Sequence, residues 1–263
     1  MIRHDFALRA TMSDRGPMPS RLADRSYVVI DTETTGIDPA IDRIVEVAAV
    51  RFLGGKPQDR FTALCDPGRE VPATASAVHH LTLKHLRDAP TFELIANDLN
   101  DFVGDNPIVA HNAPFDRAFL PGLGDRPWFC SLRFARHLWP DAPAHRNEVL
   151  RYWLGLDHEE LDGLVPHRAL TDALVTGFLF NAELDVFGGL NPAASWAHVA
   201  DYIDSPVRVE RLPWGKHRGR KISEIPTDYL RWLSAEASKA STTRGGSIDR
   251  DTLAAVRLEL ESR

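Results

Sequence analysis

Short runs of apolar and β-branched residues alternate with longer stretches of helical periodicity over the first two thirds of the chain. The short runs predict strands over residues 27–30, 44–52, 60–64 and 107–110. Apolar residues that recur every three or four positions predict helices over residues 92–102, 132–138, 147–154 and 169–184. Strands and helices that interleave in this way indicate a mixed α/β domain.

The helical periodicity stops near residue 187, where Gly188, Gly189 and Pro192 interrupt it. Beyond residue 205 the sequence becomes strongly basic, with six Lys or Arg and one acid between residues 206 and 221. These changes divide the chain into four segments. They are a disordered extension over residues 1–25, a main α/β domain over 26–185, a linker over 186–205, and a small basic and aromatic module over 206–263.

Composition limits the class of protein. The chain is 43% hydrophobic and 26% charged, as is ordinary for a globular protein. No run approaches the roughly 18 apolar residues that span a membrane, so no membrane partner is expected. Cys65 and Cys130 are too few for a disulfide framework and suit a cytoplasmic location. The net charge of -6 argues weakly against a nucleic-acid partner, but bound cations reverse the local sign where acids gather.

Two acids stand two positions apart at the end of the first predicted strand. Side chains at i and i+2 of a strand share a face, so the carboxylates of Asp31 and Glu33 project in the same direction. Like charges held close together are unfavourable unless a cation lies between them, and carboxylate oxygens suit Mg²⁺ or Mn²⁺. Solvated acid pairs at turns are also common, so the pair alone leaves both interpretations open.

Two further acids follow a strand end and a helix start. Asp116 comes after the fourth predicted strand, and Asp172 begins the long predicted helix. Ligands of α/β sheets gather outside the carboxyl ends of strands, although a helix cap is an ordinary use of aspartate. His167 precedes Asp172 by five residues, so its imidazole can approach the same centre and accept a proton from water near neutral pH.

Three motifs contain these acids, and they carry a resemblance. They read Asp31-Thr-Glu33-Thr-Thr-Gly36, His111-Asn-Ala-Pro-Phe-Asp116 and His167-Arg-Ala-Leu-Thr-Asp172-Ala. Their order, spacing and residues resemble the motifs of the DEDDh (DnaQ-like) 3′→5′ exonucleases, over about residues 27–185. The resemblance implies a ribonuclease H-like α/β fold with a mixed five-stranded sheet flanked by helices. It also implies two Mg²⁺ (or Mn²⁺) ions and a general base, His167, with the ions held by Asp31, Glu33, Asp116 and Asp172.

The resemblance further implies three groups of substrate contacts. The first is the loop that grips the terminal nucleotide, the second resembles a segment of exonuclease X-type members, and the third lies in the second motif. These groups are Thr34, Thr35, Gly36 and Ile37; His79, His80 and Leu81; and His111, Asn112 and Phe115. Ordinary packing or local hydrogen bonding is the alternative for each of them.

The carboxy-terminal segment carries a second resemblance. Residues 212–233 resemble the small module that follows the exonuclease domain of exonuclease X-type proteins. Interleaved cations and aromatic residues can neutralise phosphates and stack on bases. The candidate cations for contact with nucleic acid are Lys216, Arg218, Arg220 and Lys221, and the aromatic residues are Trp214, Tyr229 and Trp232. In the alternative interpretation the aromatic residues form a small core and the cations are solvated.

Three functions are consistent with these motifs. The favoured one is a 3′→5′ exonuclease that acts on DNA, with single strands preferred. The second is an exoribonuclease of the same fold, because identical motifs serve both sugars and the 2′-hydroxyl is discriminated by pocket shape. The third is a non-catalytic nucleic-acid-binding protein, which the presence of all five motif residues disfavours. In each case the partner is a nucleic acid with a 3′ end.

Overall fold

The central element is a mixed sheet of five strands in the order β3–β2–β1–β4–β5. The computed structural model describes residues 26–239 and 249–263. β1 pairs antiparallel with β2 and parallel with β4, and the outer pairs keep these directions. The strands are β1 (Tyr27–Thr34), β2 (Ile44–Leu53), β3 (Lys56–Leu64), β4 (Ile108–Ala110) and β5 (Trp128–Cys130). The predicted mixed five-stranded sheet is therefore confirmed.

Ten α-helices lie within the described residues. They are α1 (Ala73–His79), α2 (Leu83–Leu86), α3 (Phe92–Val103), α4 (Ala113–Phe119), α5 (Ser131–Leu138), α6 (Asn147–Leu154), α7 (Ala169–Leu190), α8 (Trp196–Asp204), α9 (Thr227–Lys239) and α10 (Arg250–Glu261). The helices predicted over residues 92–102, 132–138 and 147–154 match α3, α5 and α6 within one residue at each end.

Helices bury both faces of the sheet. On one face α7 packs against β1 and β2, and Tyr27, Phe52, Phe180 and Trp196 form an aromatic core. On the other face apolar side chains of α3 cover the strands. α7 approaches the sheet closely at Gly177, where a Cβ would lie 2.1 Å from the Phe52 ring. This close packing holds the middle of α7 against the start of β1 and the end of β2.

The segment over residues 186–205 is not a linker. α7 continues past the predicted end at residue 184, and α8 follows after a short turn. Phe187, Val199 and Ile203 are buried in the same core as the sheet, because the apolar positions continue at helical spacing across the two glycines. The described chain instead divides between Ile203 and Asp204 into two compact units. The predicted extension over residues 1–25 lies outside the described residues.

Among the described residues, one helix has the length and hydropathy of a membrane span. α7 has 22 residues and a mean hydropathy of 1.3 over its most apolar window. Most of that window is buried inside the domain, as in the core helix of a globular protein. The apolar character of α7 is therefore explained by its packing against the sheet.

The second unit has a small core of its own. α9 and α10 pack together with the segment that precedes them. The buried apolar side chains of this core are Leu212, Ile222, Ile225, Leu230, Leu233 and Val256. The predicted carboxy-terminal module is thus a folded unit within its described residues.

Candidate active site

Three carboxylates converge where β1 ends and α7 begins. Asp31 and Glu33 lie on the same face of β1, as their spacing predicted. Asp172 lies in the first turn of α7. Carboxylate oxygens from the three residues all lie within 4.8 Å of one another. The convergence joins the first and third motifs, which are far apart in the chain, at one site.

Asp116 is held next to this group and not within it. It lies in α4, it is almost completely buried, and its Oδ1 accepts a hydrogen bond of 2.8 Å from the Thr32 hydroxyl. Its charge raises the pKa of Asp31, so the two carboxylates are electrostatic neighbours. Thr32 lies between Asp31 and Glu33 and fixes the side chain of the fourth predicted ligand, a role that sequence analysis missed.

The electrostatics of the site favour a bound cation. Burial first, and then the charges of Asp116 and Asp172, raise the pKa of Asp31 well above its usual range. Burial and the Asp172 charge raise the pKa of Glu33 to about 8. Burial also raises the pKa of Asp172 to about 6, and its Oδ1 is buried with no hydrogen-bond partner among the described residues. A divalent cation would relieve the repulsion and supply the missing partner, so this oxygen-only donor set fits one.

His167 lies at the exposed side of the carboxylates. Its Nδ1 is 3.9 Å from Asp172 Oδ2, and more than half of its side chain is exposed. Its backbone has a φ of 57°, a left-handed conformation that non-glycine residues rarely adopt. The third motif therefore brings both of its predicted site residues to the same centre, as the five-residue spacing suggested.

An ion pair behind the carboxylates anchors the third motif. The Arg168 guanidinium donates to both carboxylate oxygens of Glu46, at 2.9 and 2.6 Å. Glu46 also accepts a hydrogen bond of 3.1 Å from the Ala169 amide at the start of α7. In the β1–β2 register Glu46 lies opposite Glu33. Sequence analysis missed Glu46, although its signal is present as the single acid in the buried strand β2.

Replacing Arg168 with glutamine is expected to lower the free energy of unfolding by about 1–3 kcal/mol, because Glu46 would keep a buried charge without its partner. Turnover should also fall, since the turn that carries His167 would lose its anchor. Urea denaturation and a nuclease assay measure the two effects. Asp59→Asn, which breaks the more exposed Arg51–Asp59 pair of 2.8 Å, should cost at most about 1 kcal/mol. Equal effects of the two substitutions would contradict the anchoring role.

The loop after β1 is fixed by its own side chains. Thr35 donates to Asp42 Oδ1 at 2.9 Å, and Thr34 donates to the Gly36 carbonyl. A Cβ on Gly36 would lie 2.4 Å from the Asp42 carboxylate, so only glycine fits. Ile37 is 86% exposed. The four substrate contacts predicted in this loop are Thr34, Thr35, Gly36 and Ile37. The two threonine side chains are buried and hydrogen-bond within the loop, whereas Ile37 is exposed to solvent.

The segment over residues 79–81 is divided between core and surface. His79 is buried, its Nδ1 accepts from the Leu81 amide at 3.0 Å, and its Nε2 has no hydrogen-bond partner among the described residues. Leu81 packs with Val45 and Leu86 in a small apolar cluster. His80 is exposed and has a left-handed backbone with a φ of 61°. His80 is thus the member of this group that faces solvent.

The second motif is tied into the protein interior. The His111 Nε2 donates to the His145 carbonyl at 2.7 Å, and its Nδ1 is 3.4 Å from Ser131 Oγ. Burial lowers the pKa of His111 to about 4, so the neutral ring carries its proton on Nε2. Asn112 is exposed with a φ of 75°, and the Phe115 ring packs at a tilt against Phe119, with the centroids 5.1 Å apart. His111 therefore holds the start of α4 in place, which is the local role weighed from the sequence.

A buried acid lies behind His111. Ser131 Oγ is 2.9 Å from Glu183 Oε1, and Glu183 is fully buried in α7. Burial raises the pKa of Glu183 well above its usual range, while the Ser131 hydrogen bond lowers it. A protonated Glu183 can donate to Ser131 and leave the serine proton for His111 Nδ1. Sequence analysis missed this acid, whose signal is a charged residue within the apolar spacing of α7.

Replacing Glu183 with glutamine is expected to stabilise the protein increasingly as pH rises. Because the folded pKa lies above the unfolded value near 4.5, folding must take up a proton above that pH. The wild type then loses about 1.4 kcal/mol per pH unit until the folded pKa is reached. The glutamine amide keeps a donor for Ser131 and carries no such penalty. Urea denaturation between pH 4.5 and 8 measures the difference, and a pH-independent difference would contradict a neutral Glu183.

Comparison with family models gives two matches. The model of the RNase_T family, described as exonuclease, matches residues 28–180, more than half of the chain. A second model, described as a putative quorum-sensing-regulated virulence factor, matches residues 206–239 in the second unit. The boundary between the two matches agrees with the division into two compact units.

Similar proteins include exonucleases and a DNA polymerase. Exodeoxyribonuclease 10 of Escherichia coli (strain K12) is 32% identical over 210 residues, covering 78% of this chain and 89% of that protein. The PolC-type DNA polymerase III of Thermotoga maritima is 36% identical over 198 residues, covering 70% of this chain and 14% of that protein. The solved Exonuclease X in complex with 5′ overhanging duplex DNA has a TM-score of 0.56 at 31% identity, covering 67% of this chain and 99% of that one. A solved Exonuclease I, at 20% identity and a TM-score of 0.52, shares the fold.

The sequence motifs, the sheet and the matches agree on one assignment. The RNase_T match spans all three motifs, and the carboxylates of the first and third motifs meet at the end of β1. A divalent metal ion is the cofactor that such a carboxylate cluster implies in these enzymes. The chain belongs to the DEDDh (DnaQ-like) family of 3′→5′ exonucleases.

Proposed function

We propose that this exonuclease removes nucleotides from the 3′ ends of DNA with two divalent ions, Mg²⁺ or Mn²⁺. The observation that carries the proposal is the convergence of Asp31, Glu33 and Asp172 within 4.8 Å, beside an exposed His167. Asp116 would complete the ligand set from α4. When bound, such ions would supply an activated water and a positive charge near the departing oxygen.

The residues around the carboxylates would carry the remaining tasks. His167 can take the proton of the attacking water, because its ring is exposed at the edge of the cluster and imidazole is a common general base. Thr32 holds Asp116, and the Glu46–Arg168 pair holds the turn that carries His167. The site is thus preorganised by hydrogen bonds, which limits the movement that the reaction requires.

The terminal nucleotide would lie against the loop over residues 34–37 and the segment over residues 79–81. Ile37 and His80 are the exposed side chains of these segments, so an apolar and a polar contact are available to it. Thr34, Thr35 and Gly36 would contribute a rigid backbone, since their side chains are engaged or absent.

DNA is the substrate that the matches favour. The Escherichia coli relative is named an exodeoxyribonuclease, and Exonuclease X was solved with 5′ overhanging duplex DNA. Both matches exceed 30% identity and cover two thirds or more of this chain. The motifs alone do not discriminate the sugar, so the preference for DNA rests on these two proteins.

A gel time course tests the proposal. Single-stranded DNA and RNA of matched sequence, labelled at the 5′ end, are incubated with the full chain in Mg²⁺ or in EDTA. We expect a Mg²⁺-dependent ladder that shortens from the 3′ end and forms faster on DNA. Faster shortening of RNA would replace DNA by RNA as the substrate. Absence of a ladder on either strand, in Mg²⁺ and in Mn²⁺, would refute the proposed activity.

A further inference from the structure

We propose that the second unit carries its own binding site for single-stranded nucleic acid, built on a cluster of three rings. The rings belong to His217, Tyr229 and Trp232, which we call the ring cluster. The proposal rests on the proposed function only in that the substrate is a nucleic acid. It deepens that function by assigning a second contact to the strand, outside the catalytic unit.

The ring cluster is at the surface of the unit and is continuous. The Tyr229 and Trp232 centroids are 5.3 Å apart, and the His217 and Tyr229 centroids are 4.5 Å apart at an interplanar angle of 79°. Trp232 is 53% exposed, while its neighbour Leu233 is buried in the core of the unit. Leu230 and Leu233 are the residues of α9 that pack into that core, and the ring of Trp232 lies outside it.

The sequence left open the alternative that the aromatic residues of this module form a small core. That alternative holds for only some of them. Trp214 packs against the core of the unit, and Tyr229 packs against it with part of its surface. Trp232 does not belong to that core. The stacking surface thus consists of Trp232 with Tyr229 and His217, and it excludes Trp214, which the sequence grouped with them.

A rigid turn presents cations beside the rings. Gly215 and Gly219 have φ angles of 79° and 81°, and the Gly219 amide donates to the Leu212 carbonyl at 2.8 Å. A Cβ on Gly215 would lie 3.1 Å from the Tyr229 hydroxyl, so the turn lies directly against the ring cluster. Lys216 and Arg218 lie on this turn and are exposed. Their side chains make no ion pair or hydrogen bond with the described residues.

The neighbouring arginine organises the cluster. The Arg220 guanidinium lies 3.3 Å from His217 Nδ1 and donates to the Glu224 carbonyl at 2.8 Å. Arg220 is thus fixed beside the rings, while Lys216 and Arg218 remain available for a ligand. Lys221 is also exposed, and its backbone pairs with Arg211 in an isolated bridge. Of the four candidate cations, Lys216 and Arg218 are the ones that we assign to phosphate contact.

The chemistry of this surface fits a single strand. Residues 206–221 hold six Lys or Arg and one acid, in a chain whose net charge is -6, so the local charge is opposite to that of the whole. Phosphates attract such a surface, and an exposed indole can stack on an unpaired base. A base within a duplex has no free face to offer. We therefore expect tighter binding of single strands than of blunt duplex.

The test measures binding by the full chain in EDTA, which separates it from cleavage. The probe is a fluorescein-labelled DNA strand of about 20 nucleotides, longer than one binding site. We expect Trp232→Ala to weaken binding roughly tenfold, the usual loss for one stacked base. Trp232→Phe should keep most of the affinity and Trp232→Leu should lose it, because phenylalanine alone retains a ring face. Tyr152→Ala, which removes a 72% exposed ring from the first unit, is the matched control.

The charge contribution is tested separately. Lys216→Gln combined with Arg218→Gln should reduce the salt dependence of log K by about 1.4, which is 0.7 for each lost phosphate contact on a single strand. Arg60→Gln combined with Arg257→Gln removes the same charge from exposed positions elsewhere and should change the slope by less. In Mg²⁺, Trp232→Ala should raise KM on the long strand and leave kcat and the rate on a dinucleotide unchanged.

Two results would overturn the proposal. The first is that Trp232→Ala and the Lys216→Gln, Arg218→Gln double variant both bind the strand with the affinity and salt dependence of the wild type. In that case the ring cluster would be assigned to a protein partner instead. The other is equal affinity of Trp232→Leu and Trp232→Phe, which would exclude base stacking. Failure of the proposed exonuclease activity would appear differently, as a missing ladder in Mg²⁺ with strand binding intact.

Discussion

Replacing Asp31 with asparagine is expected to abolish turnover and to stabilise the metal-free protein. Turnover should fall by roughly 10³-fold or more, because Asp31 is a proposed ligand for the metal that would activate the water. In EDTA the free energy of unfolding should rise by at least about 1 kcal/mol, since burial and four neighbouring carboxylates make the Asp31 charge unfavourable. A nuclease assay and thermal denaturation in EDTA measure the two effects.

Metal addition provides the internal control for this variant. Mg²⁺ or Mn²⁺ should raise the melting temperature of the wild type, because a ligand that binds only the folded state stabilises it. The rise should be much smaller for Asp31→Asn, and the order of stability in EDTA should be reversed in saturating metal. Asp59→Asn, an exposed substitution on β3, should leave both activity and the metal-induced rise unchanged. Wild-type turnover in Asp31→Asn would exclude the metal site assigned to the end of β1.

Replacing His167 with alanine is expected to slow turnover by roughly 10²–10⁴-fold, the usual contribution of a general base. The loss should appear in kcat, because the ring lies at the edge of the carboxylate cluster and is not one of the proposed metal ligands. Stability should change little, since the side chain is more than half exposed and alanine keeps the left-handed backbone as costly as before. Single-turnover kinetics at saturating Mg²⁺ measure the chemical step.

The matched control for His167 is His198→Ala. His198 is exposed at the start of α8, where its Nδ1 contacts Ser195, and it has no place at the carboxylate cluster. It should retain wild-type turnover. Metal-induced stabilisation should survive in His167→Ala, which separates the loss of a base from the loss of a metal ligand. Equal turnover of His167→Ala and the wild type would transfer the role of general base to another group.

Local pattern was sufficient for the main elements and for the three motifs. β1, β2, α3, α5 and α6 follow from apolar periodicity, because their buried faces repeat within a single element. The short strand β5 and the short helices α1 and α2 were not predicted. Elements of three to seven residues carry too few apolar positions to establish a period, and they form because their neighbours already present a surface to pack against.

The boundary of the first unit shows how packing overrides a local signal. Gly188, Gly189 and Pro192 suggested a linker, since these residues weaken or end helices. The cost of two glycines in a helix is about 2 kcal/mol, and burial of Phe187, Trp196 and Ile203 offsets it. Only the tertiary structure reveals that burial, because the partner side chains come from the sheet and from α5.

The candidate site divides in the same way. The sequence alone predicted Asp31, Glu33, Asp116, His167 and Asp172 as site residues, because the three motifs that contain them resemble those of the family. Tertiary structure decided which oxygens share one centre, placing Asp116 against Thr32 and beside the group of three. It also recruited Glu46 and Glu183, which lie outside every motif. These supporting residues act through contacts with distant segments of the chain. The spacing of residues in the sequence does not reveal such contacts.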